Sequence, residues 1–269
     1  IKHPAFTFGT NELKGIWVAK YEASQGTNTN TTSAVSKPTE TSYVAQFKPE
    51  VSSWINISVS KMYEYAYNTF RDADSHLMKN SEWGAVAYLT NAIGRLPYGN
   101  NSSPYKTGRA ADTQDIENYI DNVNNKWNTI KGVKASNTYN VYGIYDLSGG
   151  NEYVATYYAG GDASYLKDDI NAKQYAGTLY ANKNTKYVEV YNDSYSHLNI
   201  GGATYETSSS KNGYTSWDSD CSEVFTNTGA VINRSGGGDS SYSEGLFSFY
   251  IENGRSTSYT SFRVVLAIL

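Results

Sequence analysis

The sequence predicts an α+β fold, and three observations support that prediction. Two segments early in the chain carry apolar side chains at helical spacing. From Tyr142 to the C-terminus the pattern changes to short apolar runs separated by glycine turns, which is typical of irregular β structure. No repeat with a period of about 20–50 residues is present. We therefore expect residues 1–269 to form one domain.

The opening residues predict a strand, a turn and a second strand. Phe6 and Phe8 alternate before a turn at Gly9, and the apolar run Ile16–Val18 follows it. Residues 24–41 are polar and contain many Ser, Thr and Asn side chains. This composition predicts an insertion without regular structure.

Two helices are predicted next. The first covers 59–70, with an apolar face formed by Val59, Met62, Tyr63, Ala66 and Phe70. The second begins with Asn80 or Ser81 as its N-cap and stops at Gly94. Its predicted apolar face consists of Trp83, Val86, Ala87 and Leu89.

The second half of the chain predicts mainly strands. Residues 99–140 form a second polar insertion, with one helix predicted around 116–127. Phe247 and Phe249 alternate with polar neighbours, which predicts a strand with one buried face. The segment Ser261–Leu266 predicts a buried terminal strand.

Composition narrows the classes of function. The net charge is −4 and only 18% of residues are charged, so no basic surface is expected to bind nucleic acid. No apolar run reaches membrane-spanning length, and we expect no membrane insertion by this segment. No signal peptide is visible, so any export signal or anchor is expected upstream of Ile1. The single cysteine, Cys221, excludes an internal disulfide and a cysteine-cluster metal site.

Tyrosine dominates the aromatic side chains, with 26 Tyr against 8 Phe. Tyrosine offers a large, rigid contact surface, and the loops of antibody-type binding sites combine it with Ser and Asn. The same tyrosines also fit half-buried positions on strands. Composition alone leaves both interpretations open.

Four segments resemble, in order, the formylglycine-generating-enzyme branch of the C-type-lectin fold. They are GIWVAKYE at 15–22, LMKNSEWGAVAY at 77–88, YGIYDLSGGNEYV at 142–154, and RSGG at 234–237 followed by SFRVV at 261–265. The resemblance spans nearly the whole chain. It implies a C-type-lectin-like fold of two helices, irregular β-sheet and long loops, in which most of these motif residues are scaffold.

The resemblance does not extend to the catalytic residues of that family. Its oxidase members bind copper with a pair of cysteines, whereas Cys221 is alone. Its iron-dependent members use two histidines and a carboxylate, and His3, His76 and His197 show no ligand-type spacing. We therefore expect a protein without enzymatic activity. The alternatives are a diverged enzyme of this family and a structural domain of a surface appendage.

Members of the family often hold a calcium ion near the third segment. The corresponding candidates here are Asp146, Asn151 and Glu152. Asn151 and Glu152 are adjacent, so the segment is shorter than the family pattern. These side chains either hold a structural calcium ion or satisfy turn amides, and no other cofactor is expected.

Residues 239–260 resemble the variable region of proteins diversified by retroelements, in which adenines of a template are randomised. Altered Asn codons yield residues such as Ser, Tyr, Asp, Thr, Ile and Arg, but never Lys, Gln, Met, Trp or Glu. After Trp217 the chain contains no Lys, Gln, Met or Trp. Glu244 and Glu252 depart from the pattern, and each would need another template codon or be fixed.

Proteins of that kind share the proposed fold, and the variable segment is expected within residues 236–266, after Gly236–Gly238 and before the terminal strand. The candidate ligand-binding residues are Asp239, Ser241, Tyr242, Ser243, Ser248, Tyr250, Ile251, Asn253, Arg255, Thr257, Ser258, Tyr259 and Thr260. We expect these side chains to face solvent on one patch, with Tyr242, Tyr250 and Tyr259 as the main contacts.

This resemblance implies a receptor-binding or adhesin domain. We expect it to be extracellular, on a phage particle or a bacterial surface appendage. The expected partner is a protein or glycan on another cell, and nucleic acid is not expected as a partner.

Overall fold

Two α-helices and twelve short β-strands form a mixed α+β structure in the part of the chain that a computed structural model describes. That part consists of residues 2–25, 45–49, 53–97, 126–162, 166, 186–191, 200–210, 212–223, 228–236, 245–255, 257 and 260–269. The α+β class predicted from the sequence is confirmed. Most of the predicted insertion at 24–41, and the helix predicted around 116–127 except for its last two residues, lie outside the described residues.

The strands are short and pair into small sheets. They are β1 (Thr7–Phe8), β2 (Asn11–Glu12), β3 (Gly15–Val18), β4 (Ser24–Gln25), β5 (Ala45–Gln46), β6 (His76–Leu77), β7 (Glu152–Tyr153), β8 (Thr156–Tyr158), β9 (Glu189–Tyr191), β10 (Val231–Arg234), β11 (Phe249–Glu252) and β12 (Val264–Ile268). Two antiparallel sheets have the strand orders β3-β12-β6 and β11-β10-β7. The pairs β1-β2 and β4-β5 are antiparallel, and β8-β9 is parallel.

The predicted strands at both ends of the chain are present, with shifted boundaries. The opening hairpin forms between β1 and β2 around Gly9, after a short 3-10 turn at Pro4–Phe6. The terminal strand begins at Val264 rather than at Ser261. The reason is that Ser261 bridges to Glu152, outside the ladder that β12 forms with β3 and β6.

The first predicted helix is confirmed as α1 (Val59–Thr69). Met62 and Ala66 are buried, as the helical spacing predicted. Phe70 lies beyond the helix and is 51% exposed, so its predicted place on the apolar face was wrong. The Val59 N–H, which has no partner within the helix, donates to the Gly254 carbonyl at 2.9 Å. The start of α1 is thereby joined to the C-terminal segment.

The second predicted helix is confirmed as α2 (Asn80–Ala92), but its N-cap is Lys79 rather than Asn80 or Ser81. The Glu82 carboxylate accepts the Lys79 N–H at 2.8 Å, as in a capping box. The Asn80 side chain is engaged elsewhere, because its Oδ1 accepts from Arg234. Asn80 belongs to a residue type that favours N-cap positions, but here it makes a tertiary contact instead.

The apolar face of α2 is narrower than the sequence predicted. Trp83, Val86 and Ala87 are buried, whereas Leu89 is 67% exposed and its predicted burial was wrong. The helix ends before Gly94, whose φ of +67° is a left-handed conformation that glycine adopts without strain.

Two hydrophobic clusters form the core. The first cluster packs α1 against the central strands and includes Trp54, Met62, Tyr63, Tyr153 and Phe262. The second cluster packs α2 against β10 and β11 and includes Trp83, Leu147, Ile232, Phe247 and Phe249. Three residues of the segment that resembles a variable region, Phe247, Phe249 and Ile251, belong to this second cluster.

Two fully buried arginines connect the motif segments. Arg263 donates to both carboxylate oxygens of Glu152 and to backbone carbonyls, including that of Ala19 at 2.7 Å. Arg234 donates twice to Asn80 Oδ1, at 2.8 and 2.6 Å. Because a buried guanidinium must be hydrogen-bonded to be tolerated, each arginine fixes the positions of several chain segments at once.

Candidate ligand-binding surface

Strand β11 lies at the edge of its sheet and carries the described centre of the candidate binding segment. It pairs with β10 in antiparallel register, from Val231 opposite Glu252 to Arg234 opposite Phe249. Phe249 is buried in the second cluster, and the next residue, Tyr250, is half-buried. Alternate side chains point to opposite faces of a strand, so Phe249 and Ile251 share the face that packs in the second cluster, and Tyr250 and Glu252, both half-buried, share the opposite face.

Four of the candidate contact residues are buried, and the expectation that they face solvent was wrong. Ser248 and Thr260 have no exposed surface, Thr257 is nearly covered, and Ile251 packs in the second cluster. The Thr257 and Thr260 hydroxyls bond to each other at 2.7 Å, and the Thr260 N–H donates to Thr257 Oγ1 at 2.9 Å. A small hydroxyl that finds partners inside the protein is readily buried, so polar composition alone did not reveal these positions.

Three candidates reach the surface in the described part of the segment. Tyr250 and Asn253 are half-buried, and Arg255 is exposed. Asn253 Oδ1 accepts the Arg255 N–H at 3.2 Å, which orders the turn after β11. The other six candidates lie outside the described residues: Asp239, Ser241, Tyr242, Ser243, Ser258 and Tyr259.

Glu252, which departs from the codon pattern, has a structural role. Its carboxylate accepts the Tyr153 hydroxyl at 2.5 Å and the Asn233 side-chain amide at 3.0 Å. These bonds join β11 to β7 and β10. Replacing Glu252 would leave inward-facing donors without their acceptor, which is a reason for this residue to be fixed. Glu244 lies outside the described residues.

Residues 220–223, for which the sequence predicts no role, run along the outer edge of β11 and the residues before it. Three N–H groups bind this segment: Phe247 donates to the Asp220 carboxylate (2.8 Å), Phe249 to the Cys221 carbonyl (3.1 Å) and Ile251 to the Glu223 carboxylate (3.0 Å). An uncovered strand edge would present these groups unpaired. No local pattern predicts the pairing, because the partners are 27 or 28 residues apart in sequence.

Asp220 contacts the residues that immediately precede β11. Gly245 has a φ of +148°, and a Cβ atom there would lie only 1.9 Å from Asp220 Oδ1, so only glycine fits. Burial raises the pKa of Asp220 to about 7. The Phe247 N–H and Arg234 oppose this shift, and the neighbouring Asp218 adds to it. Asp220 therefore carries a proton over much of the acidic pH range.

Two of the three calcium candidates, Asn151 and Glu152, accept hydrogen bonds from protein donors. Both oxygens of Glu152 accept from Arg263, and Asn151 Oδ1 accepts from Asn233 and Thr260. A cation at Glu152 would have to lie beside the guanidinium, which the repulsion between like charges opposes. The oxygens of Glu152 and of Asn151 are therefore not available to a calcium ion, and Asp146, close to them in sequence, is buried. Among the described residues, no three His, Cys, Asp or Glu side chains are grouped so that they could hold a metal.

Comparison with known proteins does not assign the chain to a family. No protein-family model and no curated protein matches it. In the described ranges, neither helix combines the length and the apolar composition needed to cross a bilayer. The likeness of the four motif segments to one family therefore rests on their residues and on the contacts between them.

Proposed function

We propose that this protein is a non-enzymatic ligand-binding protein with a C-type-lectin-like fold of the formylglycine-generating-enzyme type, and that residues 236–266 carry a diversified surface. In this proposal it is displayed on a phage particle or a bacterial surface appendage and binds a protein or glycan on another cell. The observation that carries the proposal is the division within one segment. Phe249 packs in the core and Glu252 accepts the Tyr153 hydroxyl, whereas Tyr250 and Asn253 keep part of their surface exposed and Arg255 is exposed.

The proposed fold is supported by contacts among the four motif segments. Arg263 of the fourth segment pairs with Glu152 of the third and donates to the Ala19 carbonyl of the first. Asn80 of the second segment accepts from Arg234 of the fourth. Residues whose resemblance was noted separately along the sequence thus form one connected network.

The proposed role is supported by the scaffold of paired strands, because a substitution of an outward-facing side chain disturbs few contacts in the core. Strands of a rigid scaffold can hold irregular segments whose outward side chains vary without unfolding the protein. Tyr250 offers an amphipathic contact and Arg255 a charged one, while the backbone of β11 is bonded on both edges. Variation at these positions would change recognition and leave the core unchanged.

Diversification is tested by sequencing the gene from many cells or particles of its source population. We expect substitutions to concentrate in the codons for Tyr250, Asn253 and Arg255, and the codons for Phe249 and Glu252 to stay constant, because Phe249 packs in the second cluster and Glu252 binds buried Tyr153. A near-copy of the segment encoding 236–266, altered only at template adenines, should lie beside a reverse transcriptase gene. Evenly spread variation without such a copy would contradict diversification.

Binding is tested by replacing the described surface candidates together. We expect the triple variant Tyr250→Ser, Asn253→Ser, Arg255→Ser to lose at least tenfold in affinity for cells that the parent protein binds, since one truncated anchor can cost about 2 kcal/mol. The measurement is retention of the fluorescently labelled full chain on a panel of bacterial strains. Its matched control is Tyr142→Ser with Arg95→Ser, which changes exposed residues outside the candidate segment. Equal retention of the triple variant and the parent would refute the proposed surface.

A further inference from the structure

Two aromatic side chains outside the segment 236–266 form a corner beside it. Trp217 is 43% exposed and packs against Tyr88 of α2, with ring centroids 5.8 Å apart and ring planes at 75°. Both rings contact the fully buried Phe247, at 5.2 and 6.4 Å. Trp217 and Tyr88 thus meet at a steep angle, and both pack on the buried Phe247 ring. We call these three side chains the aromatic corner.

The aromatic corner is held in a fixed shape. Trp217 opens a short 3-10 turn in which Asp218 and Ser219 have φ values of +61° and +64°. The Asp220 N–H closes this turn on the Trp217 carbonyl at 3.2 Å, and the Asp220 carboxylate accepts the Phe247 N–H at 2.8 Å. Asp220 thereby links Trp217 to Phe247. A rigid, partly exposed tryptophan loses little conformational entropy on binding, which is typical of an interface anchor.

Negative groups lie beside both Trp217 and Tyr88 of the aromatic corner. Asp218 directly follows Trp217 and is exposed. Tyr88 shares a side-chain hydrogen bond with Glu206, whose carboxylate also accepts the Gly201 N–H at 2.8 Å. One carboxylate is thus adjacent in sequence to Trp217, and another is hydrogen-bonded to Tyr88.

The positive groups around the aromatic corner do not balance these carboxylates at its surface. Arg234 is fully buried, and its donors are engaged by Asn80 and by backbone carbonyls such as that of Ala203. The His3 ring lies 6.4 Å from Tyr88, and burial lowers its pKa although Glu206 opposes that shift, so burial disfavours the charged form of the ring. Among the described residues, the surface of the aromatic corner is therefore complementary to a positive charge.

We propose that the aromatic corner is a constant part of the binding surface and receives a lysine or arginine side chain of a protein partner. This inference rests on the proposed function, because it concerns the same surface. A cation over an indole face is attracted by the ring quadrupole, and tryptophan is the strongest of the aromatic residues in this respect. The steep angle between Tyr88 and Trp217 fits a slim cationic side chain better than a broad sugar ring, which needs one open face.

The proposal is tested by fluorine NMR on the full chain labelled with fluorotryptophan. The five tryptophans give five signals, and Trp217→Phe assigns one of them. The labelled protein is titrated with a capped tripeptide that has arginine at its centre, with the same peptide containing citrulline, and with neutral methyl glycosides. Trp17, which is 68% exposed and lies opposite Leu266 on β12, is the internal control.

We expect the Trp217 signal to shift saturably with the arginine peptide and much less with citrulline. Asp218→Asn should weaken this binding about two- to fivefold, and Asp72→Asn, an exposed carboxylate elsewhere, should not change it. Equal shifts with arginine and citrulline, or equal shifts of Trp17 and Trp217, would overturn the proposal. A response to glycosides alone would overturn it in favour of a glycan. If Trp217 ignores arginine while the triple variant at 250, 253 and 255 still loses cell binding, the inference fails and the proposed function stands.

Discussion

Replacing Arg263 with methionine is expected to destabilise the protein by about 3–5 kcal/mol, because it leaves a buried carboxylate without its counter-charge. Arg263 and Glu152 are both fully buried, and their shortest contact is 2.5 Å. Burial raises the pKa of Glu152, whereas Arg263 opposes that shift. Without the guanidinium, Glu152 must take up a proton or remain charged in the core, and either outcome costs stability. The measurement is urea unfolding followed by circular dichroism.

Three comparison variants separate the ion pair from other effects. Arg71→Met changes an exposed arginine and should cost little. The double variant Arg263→Met, Glu152→Met removes both charges, so it should be less destabilised than the sum of its single variants. Arg263→Lys keeps the charge without the forked donor geometry and should fall between the parent and Arg263→Met. A loss below about 1 kcal/mol for Arg263→Met would show that the pair does not hold the frame.

Replacing Asp220 with asparagine is expected to change how stability depends on pH between about 4 and about 7. Burial is the main cause that raises the pKa of Asp220 from 3.8 to about 7. In this range the folded state keeps a proton that the unfolded state releases, so the parent protein loses stability as the pH rises. Asparagine keeps an oxygen for the Phe247 N–H and has no such proton. The difference should therefore grow in favour of the variant, by at most about 1.4 kcal/mol per pH unit, and become constant above about pH 7.

The comparison with the parent is essential, because other buried carboxylates also titrate. Burial is the main cause that raises the pKa of Glu22 and of Glu189, so the pH profile of the parent reports all of these groups together. Only the difference between Asp220→Asn and the parent isolates Asp220. Asp72→Asn is the matched control, since Asp72 is exposed. A stability difference that stays the same at every pH would mean that Asp220 keeps its ordinary pKa on folding.

The Arg263 and Asp220 substitutions affect different parts of the proposed binding protein. Arg263 holds the frame, whereas Asp220 holds the point where the candidate binding segment enters β11. Arg234 connects α2 to the residues before β11, because it binds Asn80 of α2 and also donates to the Ser248 carbonyl at 3.4 Å. The geometry of the candidate surface therefore depends on buried polar groups that no ligand would contact.

The sequence by itself determined the α+β class, both described helices and the burial of Phe247 and Phe249. These features depend on the spacing of neighbouring apolar residues, and that spacing is visible in a single chain. The predicted boundaries were less accurate. The sequence predicts an N-cap role for Asn80, but its side chain binds Arg234. It also predicts that Leu89 lies on the apolar face of α2, but Leu89 is exposed. A residue that locally favours an N-cap position can instead bind a partner that is distant in sequence.

Only the tertiary structure decided which polar residues of the candidate segment are available to a ligand. Ser248 and Thr260 are residue types that also occur among surface contacts, yet both are buried. The Thr260 hydroxyl is bound inside the protein by Thr257 and Asn151. Likewise, only the fold brings residues 220–223 against β11 and places Trp217 beside Tyr88. Pairing along a strand edge depends on backbone groups that every residue carries, so side-chain identity in one sequence does not specify which segments will meet.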